Sequence, residues 1–263
     1  MPTAELGDVR VQYRAEGSGP AVVFVHGLAE DHRTWQAQQD ELTGCRTYAL
    51  DLRGHGGTPV GRASGDLAQL RDDLIAFLSE VSGPAVCAGF SLGGTVVLAA
   101  AARRPELVTG AMAIATSSVV GRAAADFFRE RAQQVRDGDL EAARATLRAD
   151  TAEMLTRADA AALGDYRVEC IGDGAGYANA ALAMAGLREE PLTPLLSKVT
   201  CPTVVVGGGK DVFCPRKASE ILLDGLPEAS YREVPDVGHL MRADDPAGFA
   251  EAVRESLGDL GAR

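Results

Sequence analysis

Residues 85–95 read Ala85-Val86-Cys87-Ala88-Gly89-Phe90-Ser91-Leu92-Gly93-Gly94-Thr95. Four small apolar residues, the content of a buried strand, run into Gly89-x-Ser91-x-Gly93, and the stretch from Thr95 to Arg103 continues as a helix. A serine at the apex of so tight a strand-to-helix turn crowds both flanking positions, and glycines there let strand and helix approach without a Cβ clash. The hydroxyl then projects above the sheet. The N–H of Leu92 falls at the helix N-terminus, where unpaired donors and the helix dipole favour an anion.

Strands and helices alternate on both sides of this turn. Ala21–Val25 is an apolar run ending in His26-Gly27, and Thr47–Leu50 ends in Asp51 and the turn Arg53-Gly54-His55-Gly56-Gly57. Gly110–Ala115, Pro202–Val206 and Ser230–Val234 supply further strands, while Asp66–Glu80, Arg216–Leu223 and Pro246–Leu257 carry helical spacing. Alternation of this kind builds βαβ units and a mostly parallel sheet. From 119 to 190 strand signals vanish and Ala, Arg, Asp and Glu dominate, so the reading is a core of residues 1–118 and 191–263 interrupted by an all-helical insertion, 119–190.

The chain has 263 residues, 26 Lys+Arg against 37 Asp+Glu, and 46% hydrophobic content. A chain of this size buries roughly 70% of its extended surface, enough for one large core without disulfides or structural metal. The net charge of -11 and the lack of any basic run exclude nucleic acid as a partner. Glu5, Asp8 and Arg10 break up the N-terminus, and apolar stretches such as Val96–Ala102 are too short to span a bilayer, so no membrane association is expected. Five cysteines with no C-x-x-C pair fit free thiols, and the expected location is the cytoplasm.

Taken in order, His26-Gly27, Asp51-x-Arg53-Gly54-His55-Gly56, Gly89-Phe90-Ser91-Leu92-Gly93-Gly94, Gly208-x-x-Asp211 and Gly238-His239 resemble the α/β-hydrolase superfamily over nearly the whole chain. Gly176-Tyr177-Ala178-Asn179-Ala180-Ala181, near the end of the insertion, is similar to the cap exit of carboxylesterase and 3-oxoadipate enol-lactonase-like members. The resemblance implies an α/β-hydrolase fold: a mostly parallel central sheet flanked by helices, with an all-helical cap inserted after the sixth strand. It also implies that the residue after His-Gly, Leu28, supplies a second oxyanion N–H beside that of Leu92.

The base is chosen among four histidines. His26 shapes the His-Gly loop, His55 sits in the Arg-Gly-His-Gly turn and His32 in a polar stretch before Trp35. His239 remains, in the loop after the last strand, where the resembling family keeps its general base. Its acid partner belongs on a loop at the carboxyl end of a strand. Asp211 meets that description, whereas Asp236 reads as a turn former and Thr116-Ser117-Ser118 offers no carboxylate.

Trp35, Tyr177 and Cys214 are candidate substrate contacts, while Arg122, Arg129, Arg144 and Arg148 read as a solvated helix face. No cluster has metal-ligand spacing and Gly207-Gly208-Gly209-Lys210 lacks the Walker spacing, so no metal or cofactor is expected. The expected activity is cofactor-independent cleavage of a carboxylic ester or lactone of a small apolar substrate, by Ser91, His239 and Asp211 through an acyl-enzyme. The same triad serves C–C bond hydrolases and cofactor-free haloperoxidases or perhydrolases, and a hydrolase-fold binding protein is the alternative from another class.

Overall fold

The computed structural model describes residues 1–262. Eight strands form one sheet: β1 (Thr3–Leu6), β2 (Val9–Gly17), β3 (Ala21–Val25), β4 (Arg46–Leu50), β5 (Ala85–Phe90), β6 (Val108–Ile114), β7 (Thr203–Gly208) and β8 (Ala229–Val234). Their spatial order is β1-β2-β4-β3-β5-β6-β7-β8. From β4 to β8 every neighbouring pair is parallel, whereas β1–β2 and β2–β4 are antiparallel. The N-terminal pair escaped the search for apolar runs because β2 alternates Val9 and Val11, buried, with Arg10, Gln12, Arg14 and Glu16 towards solvent. That is the pattern of a strand with one wet face.

The central strands are covered on both faces. Val23, Val25, Cys87, Ala111 and Val205 point into one core with α2 (Leu67–Phe77), α3 (Leu92–Arg103) and α8 (Arg216–Gly225). Their neighbours in sequence, Val22, Phe24, Val86, Met112 and Val204, point into the other, against Trp35 and against Phe249 and Leu257 of α10 (Pro246–Asp259). A period of two on a doubly covered sheet makes each strand apolar throughout.

Between β6 and β7 the chain is helical: α4 (Arg122–Arg136), α5 (Leu140–Glu153), α6 (Ala160–Ile171) and α7 (Ala175–Gly186). Asp139 and Asp159 accept the N–H groups of Ala142 and Ala161 and so start α5 and α6. Tyr166 of α6 donates to Asp31 at 3.0 Å and Arg33 reaches Glu169 at 3.0 Å, which fastens α6 to the loop after β3. At α7 the contact is backbone on backbone: a Cβ on Gly176 would overlap the Gly54 carbonyl, and Asn179 accepts the Gly65 N–H at 2.7 Å.

At the turn between β5 and α3, a Cβ on Gly89 would overlap the Gly93 backbone, and one on Gly93 the Val25 carbonyl oxygen. Neither obstacle is a flexible side chain. Gly93→Ala is therefore expected to cost about 3 kcal/mol, the upper range for overpacking. Urea unfolding checks it, and an unchanged midpoint would mean that β3 and α3 separate freely.

Candidate active site

All strands from β3 to β8 are parallel or aligned so that their carboxyl ends share one edge, the place where open α/β sheets bind ligands. Ser91 follows β5 there at φ 51° and ψ -118° and forms the N-cap of α3. Its N–H donates to Ile114 O at 2.8 Å, and its carbonyl accepts from Gly94 N at 3.0 Å and Thr116 Oγ1 at 2.6 Å. Asp211 lies in the loop after β7 and His239 in the loop after β8.

The structure brings these three together. His239 Nε2 is 3.1 Å from Ser91 Oγ, and His239 Nδ1 is 2.9 Å from Asp211 Oδ2. The second carboxylate oxygen, Oδ1, accepts the N–H groups of Phe213 and Cys214 at 2.8 and 2.9 Å, so Asp211 cannot rotate without losing two bonds. Burial pushes its carboxyl up, but His239 and the hydrogen bonds outweigh that and hold it below the ordinary carboxylate value. The imidazole is flanked by Phe90 and Phe213, with ring centroids at 5.2 and 5.7 Å. In such an arrangement Nε2 can take the hydroxyl proton while the carboxylate stabilises the resulting imidazolium.

Above Ser91 lies a cavity of about 340 Å³ between the sheet edge and α4 to α7, walled by Leu28, Phe90, Phe127, Phe128, Tyr177 and Phe213 among others. Leu92 is the first residue of α3, so its N–H has no partner in the helix ladder. Leu28 borders the same cavity from the loop after β3. That loop is held by Glu30, which is buried, accepts the Gly27 N–H at 3.2 Å and pairs with Arg242 at 2.6 Å.

Tyr177 and Cys214 reach the cavity. Trp35 does not: it is fully buried, stacks on Phe24 at 4.9 Å and meets Phe249 at 6.1 Å in the core beneath the sheet. Its polar flanks in sequence suggest an accessible ring, but the short helical turn His32–Trp35 folds the ring back under the strands. His26 accepts the Leu52 N–H at 2.9 Å, His55 is buried beside it, and Asp236 is exposed and pairs with Lys210 at 3.0 Å. Asp31, His32 and Asp51 stand within ligating distance of one another, but Asp31 is occupied by Arg33 and His32 Nδ1 by Asp51 at 2.7 Å.

Two residues at the site escaped notice in the sequence. Arg167 of α6 lines the cavity although 97% of it is withdrawn from solvent. Its signal was present, since Gly164, Arg167, Cys170 and Ile171 form the buried stripe of α6 and an arginine on such a stripe is out of place. Asp244 joins the cap to the histidine loop: it accepts Gly238 N at 2.8 Å, Thr156 N at 2.9 Å, Arg157 N at 2.8 Å and Ala158 N at 3.0 Å. No sequence signal marks it, because its partners are backbone amides, three of them 86–88 residues away.

The comparisons with known proteins agree with this architecture. A family model described as "Alpha/beta hydrolase family" matches residues 22–252. The chain is 30% identical over 252 residues to a pimeloyl-[acyl-carrier protein] methyl ester esterase of Aromatoleum aromaticum, covering 90% of this chain and 97% of that one. It is 28% identical over 258 residues to a dihydrolipoyllysine-residue acetyltransferase component of an acetoin cleaving system of Pseudomonas putida, covering 97% of this chain and 67% of that protein. Among solved structures, the enol-lactonase of Burkholderia xenovorans superposes with a TM-score of 0.86 at 22% identity, over 98% of this chain and all of the other. The chain belongs to the alpha/beta hydrolase family. It is an enzyme of the hydrolase class.

Burial pushes the Asp244 carboxyl up, but its backbone N–H donors and Thr156 prevail and bring it down to about 2 from the ordinary 3.8. A carboxyl lowered on folding adds stability that is complete above the unfolded value and disappears as pH falls through the folded one. Asp244→Asn should therefore cost about 2 kcal/mol at pH 7, with the gap to wild type closing between pH 4 and about 2. Denaturant titrations across that range check it; a gap that persists below pH 2 would rule out the ionised carboxylate as its source.

Proposed function

We propose that the protein is a cofactor-independent serine hydrolase that cleaves a carboxylic ester or lactone of a small substrate held beneath the cap. The observation that carries this reading is the continuous line Ser91 Oγ, His239 Nε2, His239 Nδ1, Asp211 Oδ2, with spacings of 3.1 and 2.9 Å, opening on a mostly apolar cavity. The esterase and enol-lactonase among its relatives support it.

In this mechanism Ser91 Oγ attacks the substrate carbonyl as its proton passes to His239 Nε2. Charge gathers on the carbonyl oxygen, where the N–H groups of Leu28 and Leu92 receive it. His239 then returns the proton to the departing alkoxide, leaving Ser91 acylated. Water gives a proton to His239, attacks the acyl carbon by the same route, and releases the acid as Ser91 regains its hydrogen. Asp211 keeps Nδ1 protonated throughout and offsets the imidazolium charge. The core of residues 1–118 and 191–263 supplies this chemistry, and residues 119–190 act as the cap that shapes the pocket. The five free cysteines support action in a reducing compartment such as the cytoplasm.

Initial-rate hydrolysis of p-nitrophenyl acyl esters of graded length, with a panel of lactones, tests the reading. Wild type should turn over, Ser91→Ala should lose on the order of 10⁶ in kcat, and Asp211→Asn about 10⁴. Activity in Ser91→Ala close to wild type would overturn the assignment. So would failure of a fluorophosphonate to label Ser91 in the wild type.

A further inference from the structure

The charged residues around the cavity fall into pairs with one exception. Glu30 is matched by Arg242 at 2.6 Å, and Asp150 by Arg131 through two bonds of 2.7 and 2.9 Å. Other cap arginines are matched at the surface, Arg129 by Glu189 at 2.8 Å, Arg144 by Glu141 at 2.6 Å and Arg148 by Asp165 at 2.9 Å. Arg167 is the exception. It is only 3% exposed, lies on the cavity wall and forms no ion pair among the described residues.

Three neutral groups hold the guanidinium. Nη1 donates to Thr151 Oγ1 at 2.7 Å and to Met154 Sδ at 3.3 Å, and Nη2 donates to the Leu28 carbonyl at 3.2 Å. An arginine has five N–H donors, so two remain, and Nε is buried without any partner. A buried charge with no counter-ion costs several kcal/mol, and a buried donor left unmade adds to that. Glu30 and Asp150 both act on the guanidinium, but each carboxylate is already in contact with another arginine, Arg242 and Arg131, so the three arginines and two acids leave a local charge of plus one. Desolvation accordingly holds the Arg167 guanidinium below its usual range.

We propose that Arg167 is the binding site for a carboxylate carried by the substrate itself. This deepens the ester or lactone reading and rests on it: the substrate has an apolar body, which suits the phenylalanine-lined wall, and one anionic end. The position of Arg167 limits the spacing. Its Nη2 touches the carbonyl of Leu28, the residue whose N–H is the proposed oxyanion donor, so the two groups are no more than about 7 Å apart. A carboxylate held by Arg167 is then a short chain away from the scissile carbonyl, as in a monoester of a short dicarboxylic acid or a lactone with a short acidic side arm.

The test compares pairs of equal acyl chain length by pH-stat at pH 7.5: ethyl hydrogen succinate against ethyl butanoate, and ethyl hydrogen glutarate against ethyl pentanoate. Wild type should favour the acid ester of one pair at least about 30-fold in kcat/KM. Arg167→Met should lower that ratio by about 30-fold, the loss expected when one member of a buried charge pair is removed. The ratio is the readout because Arg167 also holds Leu28, and disturbance of that loop falls on both esters alike. Arg167→Lys, which keeps the charge, should retain part of the preference. In parallel, glutarate should raise the Tm of wild type and of Ser91→Ala but not of Arg167→Met. If neutral esters are hydrolysed with no preference for acid esters, and glutarate leaves Tm unchanged, Arg167 merely fastens the cap and the proposal falls while the hydrolase reading stands. If no ester is hydrolysed yet glutarate stabilises only proteins with Arg167, the hydrolase reading fails and the anion site remains. Should Arg167→Met not fold, the wild-type preference and the wild-type Tm shift decide the matter alone.

Discussion

Ser91 is held at φ 51°, ψ -118°, a conformation that costs a residue with a side chain about 1–3 kcal/mol. It persists because both sides of its peptide link are committed: the N–H to Ile114 of the neighbouring strand, the carbonyl to Gly94 and Thr116. Those partners require β6 to run parallel to β5 and α3 to start at once after the turn. They also require glycine at 89 and 93, where the helix passes so near β3 and β5 that any Cβ meets a main-chain atom. The order of the strands, the direction of the first helix and the outward aim of the hydroxyl thus all follow from one strained junction.

A second layer of constraint is ionic. Buried carboxylates fix the loops that the central strands project towards the cap: Asp211 binds two amides of its own loop, Glu30 binds Gly27 and Arg242, and Asp244 gathers amides from both the histidine loop and residues 156–158. Each of these carboxyls is held below its ordinary value by the donors around it, in spite of burial. Loops with no regular structure thereby acquire fixed geometry, and the histidine loop acquires it partly from the cap. Against that background of completed pairs, Arg167 is conspicuous as a buried arginine on the cavity wall with no carboxylate partner among the described residues.

How far the sequence disclosed this depended on whether the determinant was local. Gly89-x-Ser91-x-Gly93 is a local steric necessity, and its reading placed the turn, the sheet edge and the Leu92 N–H at the start of α3. The central strands were legible because a doubly covered parallel strand is apolar at every position. β2 was not, since its polar face interrupts the run, and Trp35 looked available until the chain was seen to turn under the sheet. Asp244 and Arg167 depend on contacts across 88 and 139 residues, which no periodicity encodes. Only the misfit of an arginine on an apolar stripe pointed to the second.

The contact between Gly54 and Gly176 bears on how such a protein can change its specificity. The cap is continuous in sequence, and a recombination that exchanged it whole between relatives would seem to carry the pocket with it. Yet α7 meets Gly54 backbone on backbone at Gly176, and Asn179 is matched to the Gly65 amide. A foreign cap with even an alanine at position 176 would be lifted off its seat. The transferable module is therefore discontinuous: the helices between β6 and β7 together with the loop that follows β4, inherited or grafted as one piece.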